Sequence, residues 1–258
     1  MADLKIHFSI LLLQFCVLLI FQMDLANAKT LPSFIMPCKR NDVQLGSCLQ
    51  RTVEKLRPHL KTGIPDLQLP PYDPLFLPLV TLSEQSPGKA VRFTATFTDL
   101  YAYGAHKSLL KQISVDLKKP SLRTRIVFPK LRIVANYVID GQVLIVPIRG
   151  EGKANCNLTN VDADIVMNGR YLQKMKKQHF NVQESNVTLS IGGAQLYFGN
   201  LFNGNKELGD ATNVFINKNW KEIIDEIKPV IEDSVASLVK SFISPIFDNF
   251  SIDQLLTT

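Results

Sequence analysis

Hydrophobic and polar positions along the 258 residues fall into three successive rhythms, each predicting a different element. In the first, Leu45, Cys48, Leu49, Val53, Leu56 and Leu60 recur at helical spacing on one face. Asn41 with Gln44 resembles a capping box at its start. Pro58 is expected to bend the end of this helix, and Gly63 to stop it in a left-handed conformation. The next stretch, GIPDLQLPPYDPLFLPLVTL, is too rich in proline for regular helix or central strand. Its leucines and aromatics predict an extended segment packed along the body.

From Lys89 to about Leu201 the rhythm shortens to two. Val91, Phe93, Ala95 and Phe97 alternate with Arg92, Thr94, Thr96 and Thr98, as strand residues with one wet face do. In LRIVANYVIDGQVLIVPIRG, Asp140-Gly141 reads as a two-residue hairpin turn. That turn would set Tyr137 opposite Leu144, Ala135 opposite Val146 and Ile133 opposite Ile148 on the inner face. Arg132 opposite Arg149, and Asn136 opposite Ile145, would lie outside. Three glycosylation triplets begin at Asn157, Asn186 and Asn249. A glycan must face solvent, so Cys156 and Leu158 are expected to point inward, as are Val187, Leu189 and Ile191. Ala163, Ile165 and Met167 fall out of phase with Ala154, Cys156 and Leu158, which predicts a bulge near Asn160.

The last rhythm is helical again. Asn219 and Glu222 are placed to cap a helix whose stripe runs through Trp220, Ile223, Ile224, Ile227, Ile231, Val235, Leu238, Phe242 and Ile246. Pro229 predicts a kink, and Pro245 a second bend or the end. A helix of roughly 40 Å is too long to cover an ordinary small domain. It suggests a sheet curled along a helix, giving an α+β fold with one domain over residues 29–258.

The N-terminus decides the compartment. Lys5, the apolar run FSILLLQFCVLLIF and small residues at Ala26 and Ala28 form a signal-peptide pattern over residues 1–28, with cleavage after Ala28. The run is shorter than the roughly 20 residues a membrane span needs. Removing the leader takes the formal net charge from +6 to about +7, on scattered basic positions that read as solvated surface. The expected protein is secreted, into haemolymph or another extracellular fluid, without stable membrane insertion, and monomeric. Cys16 leaves with the leader. Of Cys38, Cys48 and Cys156, the close pair most simply forms a disulfide in an oxidising compartment.

Catalytic chemistry is sparse. His59, His106 and His179 have no metal-ligand spacing, and neither a nucleophile elbow nor a zinc-protease motif is present. The glycines of GQVLIVPIRGEG lead into strand, not helix, so they do not cradle a dinucleotide. An inward Cys156 is expected to be a buried, unreactive thiol. No cofactor, metal, nucleic-acid partner or enzyme activity is expected. What is abundant is inward apolar surface, either a close-packed core or the wall of a dry tunnel. A ligand of roughly 15 carbons would gain on the order of 12 kcal/mol gross from burial, of which binding costs remove about half or more.

PCKRNDVQLGSCLQ followed by LRPHLKTGIPDLQLPPYDPL resembles the N-terminal motif of the insect Takeout and juvenile hormone-binding protein family. The likeness continues through FPKLRIVANYVIDGQVLIVPIRGEGKANCNLTNV and FINKNWKEIIDEIKPVIEDSV. It implies a long C-terminal helix wrapped by a highly curved antiparallel sheet of the tubular lipid-binding kind, enclosing a hydrophobic tunnel. It implies a carrier of juvenile hormone or another extended lipid (fatty acid, terpenoid or quinone-like), with roles in feeding, circadian output or chemosensation. In that architecture the expected walls are Phe93, Phe97, Tyr137, Leu144, Val146, Ile148, Val187, Leu189, Ile191, Trp220, Ile224, Ile227, Ile231 and Phe242. Tyr137 and Trp220 are the expected polar tips. Hormone carriers of the family resemble one another in a second disulfide to the C-terminal part. Cys156 has no cysteine after it, which favours the Takeout-like branch over a hormone-specific haemolymph carrier. The rival reading is a protein acting on membrane or glycan surfaces without an internal ligand.

Overall fold

The computed structural model describes residues 30–257, so the expected leader, its cleavage site and Cys16 lie outside the described residues. From Pro32 onward the chain forms one compact body. In chain order the body comprises β1 (Cys38–Lys39), α1 (Leu45–Leu60), β2 (Leu75–Glu84), β3 (Val91–Tyr103), β4 (Leu109–Asp116), β5 (Ser121–Val143), β6 (Val146–Lys174) and β7 (Lys177–Phe198). Then follow α2 (Lys206–Lys218), α3 (Trp220–Asn249), α4 (Ile252–Leu255) and β8 (Leu256–Thr257). The fold is α+β: an antiparallel sheet ordered β2-β3-β5-β6-β7, with β4 on β5, set along a long C-terminal helix.

The central hairpin corrects the expected turn. β5 runs straight through Asp140-Gly141, and the chain reverses at Leu144-Ile145, with Leu144 in the left-handed region at φ 54°. Tyr137 therefore faces Gly152, Ala135 faces Ala154 and Ile133 faces Cys156. Arg132 lies opposite Asn157, Asn136 opposite Lys153, and Arg149 opposite Asp140. Gly141 serves close approach: a Cβ there would lie 2.3 Å from the Arg92 carbonyl oxygen on β3. The slip is four residues per strand, an even number, so the faces are as expected. Ala135, Tyr137, Ile139 and Ile148 are all buried.

The phase change expected near Asn160 is present, but no residue is inserted between partners. Asn160 adopts φ 49°, while β6 keeps one register with β7 on both sides, Thr159 opposite Gly193 and Val161 opposite Ile191. Neighbouring strands change phase beside it. β5 turns Phe128 inward before Pro129 and Leu131 inward after it, and β7 turns Ile191 inward before Gly192 and Ala194 after it. Matched irregularities in adjacent strands preserve pairing while flipping every inward position. A Cβ on Gly192 would lie 2.9 Å from that of Asn160, so the crease needs a glycine beside it.

The crease separates two cores. One holds Val91, Phe93, Ala95, Tyr137, Ile139, Val143, Ile148, Leu201, Ile216 and Ile223. The other holds Val161, Ala163, Ile165, Met167, Phe180, Val182, Val187, Leu189, Ala236 and Ile252. α3 spans both. At 30 residues it is about 45 Å long, and it runs through Pro229 and Pro245 to end at Asn249, so Pro245 does not stop it. It packs on β7, β2 and β3, so both edge strands of the sheet path touch the same helix.

The β7 edge is sealed by side chains. Asn217 accepts from Leu196 N (2.9 Å) and donates to Leu196 O (2.6 Å). Asn213 does the same to Phe198 at 2.8 and 2.9 Å. Two asparagines one helical turn apart on α2 thus stand in for a neighbouring strand, a direct answer to the exposed-edge problem. Farther along, Glu232 accepts from Leu189 N at 2.7 Å, and Lys240 donates to Gln183 O at 2.7 Å. α2 itself was not expected from the sequence.

Several helix ends also differ from expectation. Asp42, not Asn41, provides the carboxylate before α1, accepting from Gln44 N at 2.7 Å. The stripe of α1 is half-buried, with no fully buried residue. Asn219 precedes α3 but turns its amide back to Phe215 O at 2.8 Å, so it makes no cap with Glu222. The proline-rich segment is not extended throughout: Pro65–Leu67 form a 3₁₀ turn closed by an Ile64–Leu69 bridge, Pro65 suiting the first position of a helical turn, before the chain enters β2, an edge strand that tolerates Pro78. The Cys38–Cys48 disulfide joins β1 to α1, while β1 pairs in parallel with β8. Arg40 ties the same corner to Asp253 and, at 3.1 Å, to the Leu256 carbonyl.

Candidate functional site

The expected lining residues divide between the two cores. Phe93, Tyr137 and Ile148 are buried in the first, and Phe97, Leu144 and Ile227 pack against it. Val187 and Leu189 are buried in the second, with Ile191 and Ile231 against it. Val146 is half-buried beside the hairpin turn, Trp220 is half-buried and Ile224 buried at the start of α3. Phe242 stands apart, with its ring 6.2 Å from that of Tyr72.

Between β7 at the crease and the first turns of α3 lies a pocket of about 130 Å³. It is lined by Leu189, Ser190, Ile191, Trp220, Ile224 and Ile231, with Lys221, Asp225 and Lys228. Five expected lining residues meet there: Leu189, Ile191, Trp220, Ile224 and Ile231. Ser190 and three charged side chains share its lining, so the space is amphipathic and not a dry cavity. A longer apolar surface runs between α3 and the sheet.

That interface is apolar but incompletely buried. On α3 only Ile223, Ile224 and Ala236 are buried. Val235, Val239, Ile243 and Phe247 remain half-buried although they turn toward the second core, as do Leu131 and Leu158 of the sheet. These residues were missing from the expected walls. Val235 belongs to the expected helical stripe and Leu158 was expected to point inward, whereas Leu131 was hidden by the crease, which reverses parity between Phe128 and Leu131.

Polar groups around this interior are mostly committed. Tyr137 is 2% exposed and donates its hydroxyl to Gly199 O at 2.8 Å, which removes it as a free polar tip. Burial pushes its pKa up to about 12. Tyr171 donates to Leu117 O at 3.1 Å. Cys156 is a free, half-buried thiol that burial raises to about 12, as its inward position implied. His59 stacks on Phe34 with ring centroids 4.0 Å apart. His106 Nδ1 lies 2.9 Å from Asp73 Oδ2, and His179 Nδ1 lies 3.0 Å from Phe247 O. Among the described residues no three His, Cys, Asp or Glu side chains cluster as a metal site, and no helix is long and apolar enough to cross a membrane.

Charge sits on the outer face. Arg125 chelates Asp162 at 2.7–3.1 Å, and Arg123 binds Asp164 through Nε at 3.1 Å. Each arginine holds its carboxylate partner below the usual range. Asn157 and Asn186 are exposed. Asn249 is half-buried, donates to Pro245 O at 2.7 Å, and precedes a fully buried Ser251 that caps α4.

A family model for haemolymph juvenile hormone binding proteins matches residues 11–257. The chain belongs to that family. The circadian clock-controlled protein daywake of Drosophila melanogaster is 26% identical over 227 residues, 86% of this chain and 87% of that protein. Its Drosophila yakuba counterpart is 24% identical over the same shares. The crystal structure of Epiphyas postvittana Takeout 1 superposes with a TM-score of 0.72 at 23% identity, covering 86% of this chain and 99% of that one. The long C-terminal helix and large antiparallel sheet are therefore the fold of the family.

Proposed function

We propose that the protein is a secreted carrier that encloses an extended hydrophobic ligand between α3 and the sheet. The reading rests on one observation. The apolar face of α3 meets both edge strands of the sheet, yet most of its side chains there stay half-buried instead of close-packing. The walls are the expected set, with Leu144 and Val146 at the hairpin end, and with Leu131, Leu158, Val235, Val239, Ile243 and Phe247 added. Each buried CH₂ contributes about 0.8 kcal/mol, so chain length alone gives useful affinity without an ion pair. The unpaired Cys156 and the likeness to daywake support a Takeout-like role, in circadian, feeding or chemosensory physiology, over a hormone-specific haemolymph carrier.

Ile227 packs against the first core from α3 and is half-buried. Ile227→Arg puts a cation between helix and sheet, and uptake of a long-chain methyl ester falls at least tenfold while the protein is still secreted and folded. Unchanged uptake by folded I227R removes this interface as the binding surface.

A further inference from the structure

Two basic runs, Lys118-Lys119 and Lys174-Met175-Lys176-Lys177, belong to neither apolar core. Far apart in the chain, they meet at one end of the sheet. β5 begins at Ser121, opposite Asn168 of β6, so the last stretch of β6, Gly169–Lys174, overhangs with β7 as its strand partner. The overhang is about 20 Å long. The turn between β4 and β5 lies against it: Gly169 N donates to Pro120 O at 3.0 Å, and the Tyr171 hydroxyl donates to Leu117 O at 3.1 Å. Lys174 pairs with Asp248 at the end of α3 at 2.6 Å, which fixes the stem of the hairpin.

Charge at this end is one-sided. Between Asp164 and Glu184 the chain carries Arg170, Lys174, Lys176 and Lys177 and no acid. Arg170, Lys176, Lys177, Lys118 and Lys119 are exposed. The acids beside them are Asp248, held by Lys174, and Asp116, which accepts from the backbone N–H groups of Lys118 and Lys119 at 2.8 and 2.9 Å. The apex is apolar, with Met175 92% exposed. Met175 and Lys176 both lie in the left-handed region, at φ 48° and 64°, in a two-residue turn that Asn and Gly fill with least strain. Methionine and lysine held there against backbone preference point to a use for their side chains.

We propose that this end is a peripheral docking surface for an anionic lipid bilayer. Met175 enters the boundary between headgroups and acyl chains, and the surrounding lysines meet anionic headgroups. Each basic residue near such a surface adds to the attraction, and flexible lysine stems keep the ammonium groups at headgroup level while an apolar tip goes deeper. A sulfated polysaccharide would use the lysines and leave Met175 in water, so Met175 decides for the bilayer. The docking is independent of the carrier reading, because it uses the outer end of the β6–β7 hairpin and not the space between α3 and the sheet.

The test is co-sedimentation of the full secreted protein with vesicles of phosphatidylcholine alone or with about 30% phosphatidylserine. Wild type sediments with the phosphatidylserine vesicles and not with phosphatidylcholine alone, and it is released as salt rises from about 50 to 500 mM. Lys176→Glu with Lys177→Glu weakens binding about tenfold or more, and Lys118→Glu with Lys119→Glu does likewise, because the two runs share one surface. Lys89→Glu with Lys153→Glu, exposed positions toward the other end of β5 and β6, leaves binding within about twofold of wild type. In Met175→Trp, phosphatidylserine vesicles shift the emission to the blue relative to wild type, whose single tryptophan is Trp220. Failure of wild type to sediment at about 50 mM salt, or an equal loss from reversal at the distant pair, overturns the docking surface. An unshifted M175W emission overturns the bilayer contact, and heparin binding lost on reversal of Lys176 and Lys177 would then assign the lysines to a sulfated polysaccharide. None of these readouts needs a bound ligand, so the carrier reading stands or falls separately.

Discussion

The asparagine seal on β7 can be broken one residue at a time. Asn213 and Asn217 each make two direct hydrogen bonds to the strand, to Phe198 and to Leu196. A net 0.5–1.5 kcal/mol per bond puts each amide at about 1–3 kcal/mol, a sizeable share of a typical domain's stability. Leucine has nearly the same shape without the bonding groups. Asn213→Leu should cost more than Asn217→Leu, because Asn213 is buried and its freed strand groups are harder for water to reach, whereas Asn217 is half-buried. Urea unfolding gives the energies, and hydrogen exchange at the Leu196 and Phe198 amides gives the location. A loss below about 0.5 kcal/mol in N213L, with both amides still protected, would refute the idea that these side chains replace a strand.

Removing the staple with Cys48→Ser should cost roughly 3 kcal/mol by loop-closure entropy for its short loop, measured by thermal unfolding, with the β1–β8 corner exchanging first. Asp162 and Asp164 have depressed folded-state pKa values, so the stability they add is present above the ordinary carboxylate pKa and lost as pH falls through the folded values. Asp162→Asn with Asp164→Asn should therefore unfold more easily than wild type at pH 7, and the gap should close on acidification. At a pKa near 12 in place of about 9, Cys156 has a roughly thousandfold smaller thiolate fraction at neutral pH. It should resist alkylation in the native protein and react on unfolding; stoichiometric native labelling would contradict its burial.

Much of the fold was legible because its main signals are periodic. The stripe of α3 and the alternation of β3 follow directly from residue spacing, and the family motifs extended them to the whole body. Asp140-Gly141 misled because the pair has a turn's chemistry, while the glycine is required by the passage of β3. Inner faces survived the error because the slip was even. α2 was invisible for a related reason: its buried face carries Gly209, Thr212 and Asn213 beside Ile216, so the polar groups that seal β7 erase the apolar period. Around the candidate site, the inward parity of the sheet residues was readable, but the hydrogen-bonding of the polar groups was not. Tyr137 was expected as a polar tip, and only the fold shows its hydroxyl spent on the carbonyl of Gly199.

Carriage of a lipid inside the protein is tested most directly by native mass spectrometry of protein secreted from insect cells, followed by solvent extraction and lipid analysis. The account predicts one long-chain lipid per protein molecule, retained when salt is raised from about 50 to 500 mM, since screening weakens surface attachment and leaves enclosed apolar contacts intact. Protein that emerges without lipid and takes none up from added long-chain esters would contradict it.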